Sequence, residues 1–356
     1  MKYQFYLAHP AHFHLFKNIV GALHSRNHET LITIKKKDVL EQLLRENGFN
    51  FLNILQKGRS NSKFGILLGV LQRAMKHLSI ARKYSVDVIV SSAAEMGPIA
   101  RLLGIPFINI FEDDLTLFPN YSRVFGPFID TLVVPISCKT GHLEKKTIKY
   151  NGYQELAYLS PEYFVADYKR VENFFDAKRK NFLLRFAQLS AWHDTGITGL
   201  SEGVCEKIID ILKPHGKIFI TSEAPLPSKY ENYRLSIPAS DMHHALYFAD
   251  LYIGDSQTMT AEAAVLGTPA LRFNDFVGKL GYLEELENKY ALTFGIKTSE
   301  PEKLFSKVTE LLSMHDLKGE WKKRREIMLT EKVNVVDFIT DLLINYQDKI
   351  LCKNKF

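Results

Sequence analysis

Cysteine is scarce in this sequence: Cys138, Cys205 and Cys352 are the only three among 356 residues, widely spaced and without a CxxC pair. That excludes a disulfide scaffold and a zinc ribbon, and it fits a reducing compartment. Long apolar runs are also missing, and no stretch approaches the ~18–20 residues of a membrane span. The opening MKYQFYLAHPAHFH lacks the apolar core and small-residue cleavage site of a signal peptide. A soluble, cytoplasmic protein is therefore expected. No GxGxxG motif and no GxxxxGK followed by Ser or Thr occurs, so the dinucleotide and P-loop readings lack support. Charge of one sign is not abundant either. The formal +6 is spread over scattered runs such as Lys35–Lys37, Lys178–Lys180 and Lys322–Arg325, none in a nucleic-acid-binding motif. Nucleic acid is not an expected partner.

What is present is alternation. Short apolar runs (YQFYLA, ETLITIK, FNFLNIL, VDVIVSS, PFINIF, TLVVPI) are separated by segments with helical spacing at 13–26, 38–47, 64–83 and 97–103. Asp38 with Glu41 reads as a capping-box start. Strands that are apolar throughout, with helices between them, predict a parallel sheet covered on both faces. The rhythm breaks across 137–180, which is polar and Tyr-rich and reads as a connection. It resumes with NFLLRFAQ, KIFITSE, DLYIG, PALRFN and ALTFGI, and helices close the chain from Pro301 to Tyr346. The length suits about two domains. We read an α/β chain of two doubly wound, Rossmann-like domains facing a central cleft. The boundaries are 1–158, 159–330 and a C-terminal helix within 331–356 that can return to the first domain. In such sheets ligands bind beyond the C-terminal ends of the strands, which singles out the loops to read.

The most informative stretch is DLYIGDSQTMTAEAAVLGTPALRF. A strand ends at Gly254, Ser256, Gln257 and Thr258 turn into a helix, and Gly267 with Pro269 stop it. A helix N-terminus flanked by hydroxyls is an anion site suited to a diphosphate. Glu262, one turn after Thr258, shares its face and can accept hydrogen bonds from a ribose diol. Capping and a surface acid are the alternative reading of these residues. The cluster His9, His12 and His14 admits a zinc reading, but no Cys or suitably spaced carboxylate completes the set nearby, so no metal is expected. An imidazole there can instead bind substrate or take a proton from an acceptor hydroxyl. The acidic run Glu112-Asp113-Asp114 is the second candidate for that base. An acid–x–acid pair also fits the metal motif of GT-A glycosyltransferases. The segment 64–85 reads as a covering helix whose basic residues can lie on anionic lipid.

The 250–273 stretch resembles the sugar-nucleotide signature of GT-B glycosyltransferases, particularly the MurG N-acetylglucosaminyltransferases, and of UDP-N-acetylglucosamine 2-epimerases. The resemblance puts Glu262 at the ribose, Ser256 to Thr258 at the phosphate turn, and Gly267 with Pro269 at the structural stop. LENKYAL (286–292) resembles the segment those families carry after the next helix. AHPAHFHLFKNIVGALHSRNHE resembles the first loop and helix of MurG-type enzymes, whose loop ends in a His that falls on His12. SSAAEMGPIARLLGIPFINIFEDD resembles a later stretch whose acceptor-side Glu falls on Glu112. A little-characterised prokaryotic GT-B-like family is more similar still. It carries His-Pro-x-His-x-His near the N-terminus, here His9–His14, and Asn-Gly-x-x-Glu mid-chain, here Asn151–Glu155. The chain departs from MurG in lacking tandem glycines in the first loop and a Gly-Gly-Ser turn in the second half, where AWHDTGITGLS stands.

The resemblance implies a glycosyltransferase that moves a sugar from a nucleoside-diphosphate sugar, UDP-linked, to a glycan or lipid-linked acceptor in cell-surface polysaccharide synthesis. His12, Glu112 and Asp113 are the expected catalytic groups. His9, His14, Glu95, His193, Asp194, Thr198, Met242, His243, Ser256, Gln257, Thr258 and Glu262 are the expected substrate-binding ones. No cofactor is obligatory, and the enzyme would sit in the cytoplasm or peripherally at the inner membrane face. A UDP-sugar 2-epimerase and a non-catalytic nucleotide-sugar-binding protein are the alternatives.

Overall fold

The computed structural model describes residues 1–35, 39–55, 63–186, 200–222 and 226–346, with all side chains in those ranges except those of 55 and 63–71. The chain divides into two compact units, Met1–Tyr158 with Val333–Phe356, and Leu159–Lys332.

In the first unit the elements are β1 (Lys2–Leu7), α1 (Pro10–Ser25), β2 (Glu29–Lys35), α2 (Leu40–Glu46), β3 (Phe51–Leu55), α3 (Lys63–Lys83), β4 (Val88–Ser91), α4 (Gly97–Leu103), β5 (Phe107–Ile110), α5 (Pro119–Phe125), β6 (Thr131–Pro135), β7 (Thr147–Tyr150) and α6 (Leu156–Leu159), which ends at the unit boundary. The strands form one sheet in the order β3-β2-β1-β4-β5-β6-β7, with every pairing parallel. β4, β5 and β6 are buried at every position. Each large aliphatic or aromatic side chain so buried contributes roughly 1.5–3 kcal/mol. α1 owes its place to a stripe of Phe13, Phe16, Ile19, Val20 and Leu23, spaced three and four apart and buried against the sheet. α3 also covers the sheet: His77 and Ala81 are buried, while Arg82 and Lys83 stay exposed.

Two sequence expectations change here. The 137–180 stretch is not only connection, because it holds β7, which pairs with β6 from Leu132↔Thr147 to Pro135↔Tyr150. TIKY is four residues long and half polar, too short to show as an apolar run. Asp38, the expected cap, lies outside the described residues. α2 is preceded by Val39, with no side-chain cap.

The second unit comprises β8 (Lys180–Phe186), α7 (Glu202–Leu212), β9 (Gly216–Ser222), α8 (Met242–Phe248), β10 (Leu251–Gly254), α9 (Gln257–Leu266), β11 (Ala270–Phe273), α10 (Gly281–Asn288), β12 (Thr293–Ile296), α11 (Pro301–Ser313) and α12 (Leu317–Glu331). Its sheet runs β12-β11-β10-β8-β9, again wholly parallel. Trp321 of α12 is buried and donates its indole N–H to Leu292 O at 2.8 Å. A last helix, α13 (Val335–Ile344), belongs to the first unit. There Tyr3 Oη donates to Leu343 O at 3.0 Å, and Arg26 pairs with Asp341.

Strand order locates the ligand edges. Successive strands reverse direction of travel across the first sheet between β1 and β4, and across the second between β8 and β10. At such a switch point the loops leaving the two strands diverge and open a crevice. In the first sheet those loops carry His9 and Glu95. In the second, the described one is the turn Asp255–Ser256 that starts α9. No helix among the described residues is long and apolar enough to cross a membrane.

Candidate functional site

The second unit presents the better-built site. β10 ends at Gly254, where a Cβ would lie 2.4 Å from Tyr252 Oη and 2.9 Å from Arg185 Cβ. Only glycine lets the strand end so close to both side chains. Ser256 is the N-cap of α9, and its Oγ accepts from Met259 N at 3.3 Å while its carbonyl accepts from Thr260 N. A helix starts with four amides lacking intrahelical partners. Here they are those of Ser256 to Met259; the cap takes that of Met259, and Gln257 and Thr258 present theirs at the positive end of the dipole. The turn is pinned from beneath by Asn274, whose Nδ2 donates to Asp255 O at 2.8 Å while its Oδ1 accepts from Phe276 N. Ala261, Ala263 and Ala264 are fully buried and let α9 lie close to the sheet. Gly267 closes the helix at φ +81°, a conformation suited to glycine, and its N–H bonds Ala263 O and Ala264 O.

Glu262 is 6% exposed, and its Oε1 lies 3.0 Å from His243 Nε2 on α8. Glu262, expected at the ribose, and His243, expected among the substrate-binding residues, thus form one buried pair. Met242, half-buried, precedes His243 at the start of α8. The neighbouring His244 turns elsewhere: its Nδ1 accepts from Asp167 N at 3.0 Å, and burial, with Arg170 nearby, pulls its pKa down. His193, Asp194 and Thr198 lie outside the described residues.

In the first unit the rings of His9 and His12 stay together, 6.2 Å apart centroid to centroid. His9 is the N-cap of α1, with Nδ1 accepting from Ala11 N at 3.2 Å. His12 lies in the first turn, and its Nδ1 accepts from Ala8 N at 3.2 Å. His14 points to another neighbour, its ring centroid 5.3 Å from that of Tyr158. No group of three metal-ligating side chains occurs among the described residues. The bond from Ala8 has a chemical consequence. A nitrogen that accepts carries no proton, so neutral His12 bears its proton on Nε2.

Glu95, on the loop after β4, is exposed at the same switch point, and its Oε1 accepts from Tyr6 Oη at 3.3 Å. Tyr6 is buried, with its ring edge-on to His77 at 4.7 Å, and burial and the Glu95 charge raise its pKa. The acidic run after β5 divides. Asp114 is 1% exposed and accepts from Lys139 N at 2.7 Å, which makes it a brace between two loops. Glu112 and Asp113 remain half-exposed. Glu112 is held through its backbone, whose carbonyl accepts from Cys138 Sγ. With Asp114 occupied, the acid–x–acid metal reading loses one of its two arms, and two separate sheets are not the single nucleotide-binding domain it serves.

Sequence reasoning missed Tyr6 and Asn274. Tyr6 and Asn274 are polar positions at otherwise apolar strand ends, the one signal that could have marked them.

Solved structures share this architecture over nearly the whole chain. S. aureus MnaA, solved with UDP, matches at 12% identity and TM-score 0.69, covering 98% of this chain and 96% of its own. UDP-GlcNAc 2-epimerase from Neisseria meningitidis, bound to UDP-GlcNAc, matches at 13% identity and TM-score 0.66, covering 97% and 100%. Acinetobacter baumannii MurG matches at 15% identity and TM-score 0.57, covering 96% and 99%. No curated protein matches the sequence. These likenesses show a GT-B fold. The model of one protein family covers residues 3–279, the greater part of the chain. By that match the chain belongs to the DUF354 family of proteins of unknown function.

Proposed function

We propose that this chain is a nucleotide-sugar-utilising enzyme, a glycosyltransferase that moves a sugar from a UDP-sugar to a glycan or lipid-linked acceptor in cell-surface polysaccharide synthesis. The observation that carries the reading is the start of α9, with two ligand-ready amides at a switch point and a buried, oriented Glu262 further along the same helix. In this reading the amides of Gln257 and Thr258, with Ser256, hold the diphosphate, Glu262 holds the ribose diol, and Met242 lies on the base side. His193, Asp194 and Thr198 complete the donor side. The first unit takes the acceptor. Glu112 or Asp113 accepts the proton of the attacking hydroxyl, the new C1–O bond forms, and the C1–O bond to the diphosphate breaks with its electron pair leaving on UDP. His12, as an Nε2–H donor, and His9, His14 and Glu95 orient the acceptor. Fixed dipoles stabilise the leaving diphosphate without requiring a metal. The cytoplasm, where the exposed basic residues of α3 can rest on an anionic membrane face, is the proposed location.

The second reading is a UDP-sugar 2-epimerase. It is favoured by the fit of the N. meningitidis epimerase, at TM-score 0.66 against 0.57 for MurG. Incubation with UDP-GlcNAc alone, followed by NMR of the sugar, separates the two. Transferase activity predicts no change until an acceptor is added, after which free UDP and a glycosylated acceptor appear by mass spectrometry. Conversion to the C2 epimer without acceptor replaces the first reading by the second. Absence of binding by any nucleotide sugar removes both.

A further inference from the structure

The least expected contact in the second unit is that of His243 with Glu262. The two residues are 19 apart in sequence and come from different helices, yet both are buried, at 7% and 6% exposure. A carboxylate withdrawn from water must find donors within the protein, and His243 Nε2 supplies one to Oε1 at 3.0 Å. Each carboxylate oxygen has two acceptor sites. The imidazole therefore helps to orient the carboxylate.

A group that orients another must itself be held, and α8 is held at several points. Thr268 Oγ1, just beyond α9, donates to Leu246 O at 2.7 Å. Asp167 N donates to His244 Nδ1, and Arg170 pairs with Asp241 at 2.6 Å at the start of α8. The ring of Phe164 stands perpendicular to that of His243 at 6.2 Å.

We infer that His243 is a positioning residue for ribose recognition: it acts through Glu262, and it makes the site selective for a nucleotide carrying both the 2′- and 3′-hydroxyls. The inference rests on the donor-site reading above and assigns His243 to the sugar of the nucleotide rather than to its base.

The test is calorimetric titration of the full chain with UDP and with 2′-deoxy-UDP, for the wild type, His243→Ala and His243→Gln. Circular dichroism confirms that each variant is folded. The wild type should prefer UDP by about tenfold or more, the size of one hydrogen bond to a charged group. His243→Ala should lose most of that preference, while His243→Gln, which keeps a donor, should restore a large part of it. A helix clip of purely structural role would lower affinity for both nucleotides equally and leave their ratio unchanged. A His243→Ala variant that keeps the wild-type ratio overturns the role of His243 and leaves the proposed function standing. A wild type that binds neither nucleotide overturns the proposed function and this role with it.

Discussion

The two units share a fold and differ in how they hold their polar groups. In the second, the candidate acid is buried on a helix interior, with a histidine bonded to its side chain. In the first, Glu95, Glu112 and Asp113 lie half or fully exposed on loops, and His9 and His12 are fixed by backbone amides instead. A desolvated, pre-oriented carboxylate suits one invariant feature, such as a ribose diol. Acids carried on loops suit a polymeric or lipid-borne partner whose shape varies. On the proposed function, the second unit recognises the nucleotide and the first carries the reacting groups.

The largest effect that tests this division belongs to the first unit. Glu112→Gln should lower turnover with acceptor by about 10²–10⁴, the range of a general base, while leaving the affinity for UDP unchanged by calorimetry. A parallel loss of UDP affinity would erase the distinction.

Next in size is a pH effect specific to the first unit. His77 is 2% exposed, its Nδ1 accepts from Gln4 Nε2 at 3.2 Å, and burial pulls its pKa down to about 3, with Arg73 adding to the shift. The unfolded chain takes up this proton near pH 6.5 and the folded chain does not. Stability is therefore intact above pH 6.5 and falls as the pH drops toward 3. The loss should reach about 3 kcal/mol by pH 4. Chemical denaturation across that range should show His77→Gln flattening the slope, and an unchanged slope would contradict this account.

Glu262→Ala should weaken UDP binding by about 1.5–3 kcal/mol, the worth of hydrogen bonds to a charged group, with no loss of acceptor affinity in a separate titration. Smallest is Ser256→Ala. Removing the cap bond to Met259 N should cost about 1 kcal/mol of stability, read from the urea midpoint. Thr258→Ala, which leaves that bond intact, should not move the midpoint. A shift from Thr258→Ala as large as that from Ser256→Ala would mean that the helix start is held by something other than its cap.

Much of the architecture was legible in the sequence, because its signals are local. Apolar runs marked β1, β2, β4, β5 and β6, and Gly267 marked the end of α9 through the left-handed turn it alone tolerates easily. β7 was hidden because four residues with two polar members carry no clear periodicity. The site was legible in part. Ser256 to Thr258 and Glu262 stand within one helix, so their spacing could be read along the chain. The division of Glu112, Asp113 and Asp114 could not, since Asp114 is set apart by its burial and by the amide of Lys139, 25 residues away.

By itself, then, the sequence determined the alternation of strand and helix, the two-part organisation and the start and stop of α9, all of which follow from neighbours a turn or a strand apart. Only the tertiary structure decided strand order, and with it the two switch points. It also decided that Tyr6 reaches Glu95 across 89 residues and that His243 meets Glu262 across 19. Such pairs depend on which elements pack side by side, and that is set by burial summed over whole faces rather than by any local spacing.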